Sequence, residues 1–372
     1  MTDLLTNLAW NDRTTLTLRA LYEKYGYQQY HMGKFEPYDL YRENRSFLKS
    51  ETIITFTDAS GRLMALKPDV TMSIVKSTQL EMSSRKLYYV ENVFRMPPGS
   101  NEYREISQMG LECIGGEGDY PETEVVLMAL KTLECIDDSY LLSIGHMGFV
   151  SAVFNECGFD DETYAEALNA LTHKNLHLLR AIEDRMDLSE QQRNLLEATA
   201  GMAEPLKSGI QKLRELDLTE EMQAVLQELN MLRKCLKKIG YDERLMLDFS
   251  LENDMDYYNG IVFQGFIERI PRAVLSGGRY DNLMHRFAKP QSAIGFALYL
   301  GELTRAFLEH AEYDADVLLL YGDATPDAVI QAVGPFISMG MVVRAEKTAP
   351  TGFRARQVLR LGDNGGVEVL GE

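Results

Sequence analysis

The residues with the clearest potential for chemistry lie in 86–116, KLYYVENVFRMPPGSNEYREISQMGLECIGG. Two extended runs flank a Pro/Gly-containing loop, which predicts a pair of strands. Side chains along a strand point alternately to its two faces. From Arg104 on, the even positions carry Arg104, Ile106, Gln108, Gly110 and Glu112. The odd positions carry Glu105, Ser107, Met109, Leu111 and Cys113, and turn apolar from Met109. The odd face suits a core. An arginine, an amide and a carboxylate around a glycine suit a small polar ligand, with room for it above Gly110. The same pattern also fits a solvated face of an antiparallel sheet.

Other elements must hold this strand pair in place. The segment 11–25 has helical spacing and stops at Gly26, a residue suited to the C′ position. Tyr27–His31 reads as a short strand. Glu51–Thr57 and Arg62–Lys67 flank Asp58-Ala-Ser-Gly61, a hairpin signal. Pro68 ends that strand, and Asp69 can cap a helix over Val70–Gln79. A helix with acidic residues in its first turn runs from about Asp119 to Ile136, and Tyr140–Gly145 reads as a strand. From Met147 to about Ile239 the periodicity is helical throughout, with charge runs that read as solvated faces. Strands resume at Leu245–Ser250, Tyr257–Glu268 and Ala273–Ser276. Gly277-Gly278-Arg279-Tyr280-Asp281 reads as a glycine turn, and Ser292–Leu308 as a helix packed on the sheet. Beyond Asp314, 316–321, 328–338 and 341–345 read as strand, helix, strand. Arg354–Leu361 and Val367–Leu370 read as a second helix and a last strand. These patterns predict an α+β body over 1–310, with a mostly antiparallel sheet and a helical insert at about 147–240. A small α/β domain over 314–372 follows.

Composition narrows the function classes. The chain has 372 residues, is 45% hydrophobic and 25% charged, and reads as an ordinary globular protein. No secretion signal and no apolar run near the ~20 residues of a membrane span is seen, so no membrane role is expected. The four cysteines (Cys113, Cys135, Cys157, Cys235) are far apart. Neither disulfides nor a metal centre is expected, and a reducing cytoplasm fits. The net charge of −18 and the pI near 4.9 disfavour a large nucleic-acid footprint.

Several motifs together resemble the histidyl-tRNA synthetases. Leu66-Lys-Pro-Asp-Val-Thr71 is similar to their L-R-P-E-x-T junction. Val93-Phe-Arg95 through Gln108-Met-Gly-Leu-Glu112 is similar to class II motif 2. Asp256-Tyr-Tyr-Asn-Gly-Ile-Val-Phe263 resembles the histidine-specific loop and its following strand. Ser276-Gly-Gly-Arg-Tyr-Asp281 resembles A-G-G-R-Y-D, and Ala293-Ile-Gly-Phe-Ala297 the start of motif 3. The matches run in order over most of 10–308. The segment 316–370 resembles a truncated anticodon-binding domain. The resemblance implies a class II aminoacyl-tRNA synthetase-like antiparallel sheet with flanking helices, in a body that dimerises. It also implies a histidine pocket on the polar face. Asp69, Thr71 and Gln108 would then meet the ligand's amino and carboxyl ends, and Arg95 matches the motif 2 arginine. Glu112 and Tyr258, with Tyr257 beside it, would meet the imidazole. Carboxylates suit an ammonium and an imidazole N–H, and arginine suits a carboxylate. Asp69 is equally a helix N-cap, and Tyr257 and Tyr258 equally one core and one surface tyrosine.

The departures from the synthetase pattern set the functional expectation. Asn253 stands where the histidine loop has its arginine, and Glu302 where motif 3 ends in the arginine that holds ATP. Arg305 is one helical turn on, about 60° round the axis. The loop Met96–Tyr103 lacks the further cation expected there, and Gly33 stands about where motif 1 has a proline. An amino-acid pocket without the cationic adenylation groups resembles the regulatory-subunit paralogues of ATP phosphoribosyltransferase. That family implies a non-enzyme without cofactor, assembled with a short-form catalytic subunit in histidine biosynthesis and sensing L-histidine. The alternatives are a working histidyl-tRNA synthetase, a free-standing histidine-binding module, or an ATP-using ligase on the same scaffold.

Overall fold

In the computed structural model of the chain, residues 8, 10–44, 48, 53–79, 84–96, 102–116, 118–251, 257–307, 313–362 and 365–371 are described. Asn253 and most of the loop after Met96 lie outside them. The chain forms two units, one of residues 11–306 and one of residues 1–10 with 307–372.

In chain order, the first part runs α1 (Trp10–Lys24), β1 (Gln28–Gln29), β2 (Phe35–Pro37), α2 (Asp39–Arg42), β3 (Thr55–Thr57), β4 (Leu63–Leu66) and α3 (Thr71–Ser77). The central strands β5 (Ser84–Arg95) and β6 (Arg104–Gly115) follow, then α4 (Tyr120–Glu134) and β7 (Tyr140–His146). The insert holds α5 (Met147–Glu156), α6 (Asp161–Thr172), α7 (Leu176–Arg185), α8 (Glu190–Ala200), β8 (Glu204–Pro205), α9 (Leu206–Leu213) and α10 (Glu220–Lys237). The body closes with β9 (Leu245–Leu247), β10 (Ile261–Ile267), β11 (Leu275–Arg279), α11 (Asp281–Arg286), β12 (Ala293–Tyr299) and α12 (Leu300–Phe307).

Local chemistry explains several of these boundaries. Gly26 ends α1 at φ +82°, a conformation open to glycine without strain. Helices α6, α7, α8 and α10 of the insert begin at polar caps. The side chains of Asp160, Asn175 and Thr219 each accept from a backbone N–H three residues on, and Ser189 with Gln192 forms a reciprocal capping box.

Among the described residues the main sheet runs β1-β5-β6-β12-β11-β10-β7-β9-β8. Its pairs are antiparallel except β1 with β5 and β7 with β9. A separate small sheet, β2-β4-β3, carries the hairpin. Helix α4 covers one face of the main sheet. Its Leu133 sits against Gly265, where a Cβ would come within 2.8 Å of the leucine. Gly265 pairs with Leu275, Leu275 with Leu298, and Leu298 with Met109. Cross-strand partners share a face, so α4 covers the apolar, odd-numbered side of β6.

Four expectations need correction. Ser292–Leu308 is not one helix: Ala293–Tyr299 is strand β12 and the helix starts at Leu300. A short apolar run buried on both faces carries no usable periodicity, and AIGFALY is such a run. Gly277 and Gly278 lie inside β11 rather than in a turn. Phe296 and Tyr258 occupy the space where their side chains would stand. The insert is not purely helical, because Glu204–Pro205 adds an edge strand beside β9. Ala355–Leu361 is a strand, not a helix.

The second unit contains β13 (Ala315–Leu320), α13 (Pro326–Ser338), β14 (Val343–Glu346), β15 (Ala355–Leu361) and β16 (Val367–Gly371), in sheet order β14-β13-β15-β16. Val317, Leu319, Leu359 and Leu361 pack beneath Val329, Val333 and Phe336 of α13. The alternation in Ala355–Leu361 serves this core: Leu359 and Leu361 are buried while Arg360 faces out. Period two then outweighs the helix-forming residue types.

Candidate functional site

The register of four neighbouring strands builds the site. Glu112 pairs with Gly295 and Gly295 with Gly278; Gly110 pairs with Ala297 and Ala297 with Ser276; Gln108 pairs with Tyr299. On the other side of β6, Tyr89 pairs with Gly110. These residues share the face opposite α4. Its centre is a floor of glycine, alanine and serine, and its rim is polar or aromatic. The small floor lets large side chains lean inward. A Cβ on Gly295 would lie 1.8 Å from Glu112 Oε2, and one on Gly278 would lie 2.8 Å from Tyr258 Cδ1. A Cβ on Gly110 would lie 2.1 Å from Tyr89 Cζ. The space above Gly110 is therefore filled by the Tyr89 phenol, contrary to the room for a ligand expected there.

A cavity of about 50 Å³ remains between these side chains. A single water needs only ~10–15 Å³ by a comparable measure, so the cavity suits a small polar group. All seven predicted residues line it: Asp69, Thr71, Arg95, Gln108, Glu112, Tyr257 and Tyr258. The structure adds Tyr89, Ser276, Tyr280 and Tyr299 around them. Sequence reading passed over Tyr299 because a helix was expected over its strand. Tyr280 escapes it because G-G-R-Y-D fits a glycine turn. The strand alternation Gly295, Ala297, Tyr299 is the signal that reaches Tyr299.

Glu112 is the electrostatic centre. It is 2% exposed. Thr71 Oγ1 donates to one carboxyl oxygen at 2.6 Å and Tyr280 Oη to the other at 2.7 Å. Burial pushes its pKa up to about 8. The two hydrogen bonds pull the other way, and the charge of Asp69 adds to the rise. Gln108 is 6% exposed, so this is not a solvated sheet face. Asp69 sits both at a helix start and at the cavity. Its Oδ1 accepts from Met72 N at 2.8 Å at the start of α3, and the residue also lines the cavity. Tyr257 and Tyr258 are both buried and pack edge-on at 4.7 Å, so neither is a surface tyrosine. Two residues before Asp69, fully buried Lys67 pairs with Glu91.

Arg95 and Tyr299 also line a second cavity, of about 230 Å³, with Arg104, Glu105, Arg272, Glu302 and Arg305. Arg95 and Arg104 face each other across β5 and β6. Glu302 Oε1 lies 3.5 Å from Arg272 Nη1 and 3.5 Å from Arg305 Nη1. Glu302 thus stands as the counter-ion of two arginines.

Among the described residues no group of three or more His, Cys, Asp or Glu could hold a metal ion. His173 and His177 are four apart in sequence, but the chain leaves the helix between them, at Lys174 with φ +50°. No described helix is long and apolar enough to cross a membrane.

Comparison with known proteins gives the family and the fold. An ATP phosphoribosyltransferase regulatory subunit from Oceanobacillus iheyensis is 28% identical over 283 residues, covering 75% of this chain and 69% of the relative. A solved structure from Bacillus halodurans, described as an ATP phosphoribosyltransferase regulatory subunit/histidyl-tRNA synthetase, superposes with a TM-score of 0.78. It is 23% identical and covers 94% of this chain and 93% of that one. A chain of an ATP phosphoribosyl transferase complex from Thermotoga maritima gives 0.62 at 18% identity, covering 78% and 97%. These likenesses show the class II aminoacyl-tRNA synthetase-like fold. The sequence model of the family described as histidyl-tRNA synthetase matches residues 1–303, and the chain belongs to that family.

Proposed function

We propose that this chain is a non-catalytic regulatory subunit of ATP phosphoribosyltransferase. It is required by a short-form catalytic subunit in the first step of histidine biosynthesis, and it takes part in feedback inhibition by L-histidine. The observation that carries the reading is the contrast between two adjoining cavities. The first keeps a full set of groups for an amino acid with an imidazole: Asp69 and Glu112 for N–H groups, Arg95 for a carboxylate, Gln108 and Tyr258 at the rim. In the second, Glu302 sets a carboxylate between the two outer arginines and takes up part of the positive charge that phosphate chemistry needs. The names of the relatives support the same reading.

On this reading the protein has no adenylation activity and needs no cofactor. It works in the cytoplasm, self-associating as a dimer or more within a hetero-oligomer. Histidine regulates by binding one state of the assembly better than another. The test is formation of phosphoribosyl-ATP by a short-form catalytic subunit, with and without this protein, then with histidine. Strong activation that histidine reverses is expected. No activation by the folded protein with a matched partner overturns the reading. A working histidyl-tRNA synthetase is the second reading, favoured by the family match and by Arg305 beside the second cavity. Histidine-dependent ATP–pyrophosphate exchange would establish it.

A further inference from the structure

Away from the pocket, one buried lysine closes the far end of helix α3. A helix leaves its last carbonyls without partners of its own, so a buried C-terminal end needs donors from elsewhere. Ile74 O accepts from the hydroxyls of Ser77 and Thr78. Val75 O, Lys76 O and Thr78 O all accept from Lys289 Nζ, the latter two at 3.1 and 2.5 Å. An ammonium has three N–H groups, so those of Lys289 are all taken. The residue is 9% exposed, and carbonyls at a helix C-terminus suit a buried cation. Its main chain belongs to the end of α11. Lys289 N donates to Met284 O at 3.0 Å, and Ala288 before it sits at φ +54°, a conformation alanine seldom adopts. Lys289 therefore holds the ends of two helices together.

Both helices begin at the pocket. Thr71 opens α3 and Tyr280 directly precedes α11, and their hydroxyls donate to the two oxygens of Glu112. Ile74 and Val75 of α3 lie in one core cluster with Leu283 and Met284 of α11. α3 has seven residues, about 10 Å of helix, so a shift at one end is felt at the other. We propose that Lys289 is a positioning residue for the pocket, which sets the Thr71 and Tyr280 hydroxyls on Glu112 by tying the far ends of α3 and α11 together. It does not line the cavity and acts through those hydroxyls. That the placement serves histidine binding rests on the function proposed above; the placement itself does not.

Two measurements on the full chain test this. The first needs no ligand: carbon-13 NMR titration of the Glu112 carboxyl, assigned with Glu112→Gln. Hydroxyls that donate to a carboxylate hold its pKa down, and water entering a loosened pocket lowers it too. Lys289→Met keeps the length of the side chain and removes its donors. Misplaced hydroxyls should raise the Glu112 midpoint by about one pH unit, whereas general loosening would lower it. The other titratable groups of the cavity, Asp69, Arg95 and its tyrosines, are the same in every variant. Leu236→Ala, at a buried site of α10, lowers stability elsewhere and should leave the midpoint in place. The second measurement is calorimetry with L-histidine at pH 7. Lys289→Met should bind about tenfold more weakly, and Leu236→Ala like wild type. If wild type binds no histidine, the proposed ligand fails and the titration alone decides. Should Lys289→Met not fold, Lys289→Gln, which keeps an amide donor, should show a smaller rise of the same sign. A midpoint at or below wild type in the Lys289 variant, an equal rise in Leu236→Ala, or undiminished histidine affinity in Lys289→Met where wild type binds would each overturn the proposal.

Discussion

Replacing Glu112 with glutamine keeps the shape of the side chain and removes its ability to become an anion. The empty pocket holds this carboxyl at a pKa of about 8, mainly through burial. Histidine's imidazole titrates near 6.5 by itself. On the reading that the pocket takes histidine, the complex shares one proton between carboxyl and imidazole. At pH 7 the empty site already supplies that proton. Above about 8 it does not, and binding must take one up. Wild-type affinity then falls about tenfold per pH unit, or about 1.4 kcal/mol. Glutamine binds neutral imidazole and has no such limb. The ligand's own titrations affect both proteins alike and cancel in the ratio of the two affinities. That ratio should be constant up to about pH 8 and then shrink about tenfold per unit. Below pH 8 its size is the worth of a charge-assisted hydrogen bond, about 1.5–3 kcal/mol, or roughly ten- to a hundredfold weaker binding in the variant. Isothermal titration calorimetry with histidine from pH 6 to 9.5 measures both. Equal affinities at pH 7 would remove Glu112 from the site. A ratio that stays flat beyond pH 8 would refute the shared proton.

Two further substitutions test how the site is supported. Gly295→Ala would place a methyl 1.8 Å from Glu112 Oε2 and 2.5 Å from the Leu111 carbonyl oxygen. Overpacking of this kind costs about 1–3 kcal/mol, so the urea midpoint should fall and Glu112 should be displaced, and a wild-type midpoint would contradict the tight floor. Lys67→Met, two residues before Asp69, strands the partly buried Glu91 carboxylate, at about 3–5 kcal/mol. Thermal unfolding should show the loss, with part of it restored by adding Glu91→Gln; an unchanged midpoint would mean that water solvates Glu91 adequately.

The seven residues singled out from the sequence all line one cavity, yet they were legible for different reasons. Gln108 and Glu112 stood out through strand alternation, a purely local rule. Thr71, Arg95, Tyr257 and Tyr258 rested on motif resemblance, because no local pattern says that separate strands and helices will converge. Asp69 was ambiguous between a cap and a ligand group, and the structure gives it both positions.

Turn chemistry and period-two or helical spacing were enough to mark the central strand pair, the capped helices and the insert, since each depends on neighbours a few residues away. Tertiary structure alone decided the rest. The sheet register set Tyr89 over Gly110 and Glu112 over Gly295, and so shaped the cavity. Packing on both faces made Ala293–Tyr299 a strand where the apolar run left strand and helix equivalent. Salt-bridge geometry gave Glu302 two arginine partners, one of them thirty positions away in sequence (302 − 272). Burial raised the pKa of Glu112, since desolvation depends on everything packed around a group. Register, two-sided burial and desolvation are sums over residues far apart in the chain, and a local pattern carries no term for them.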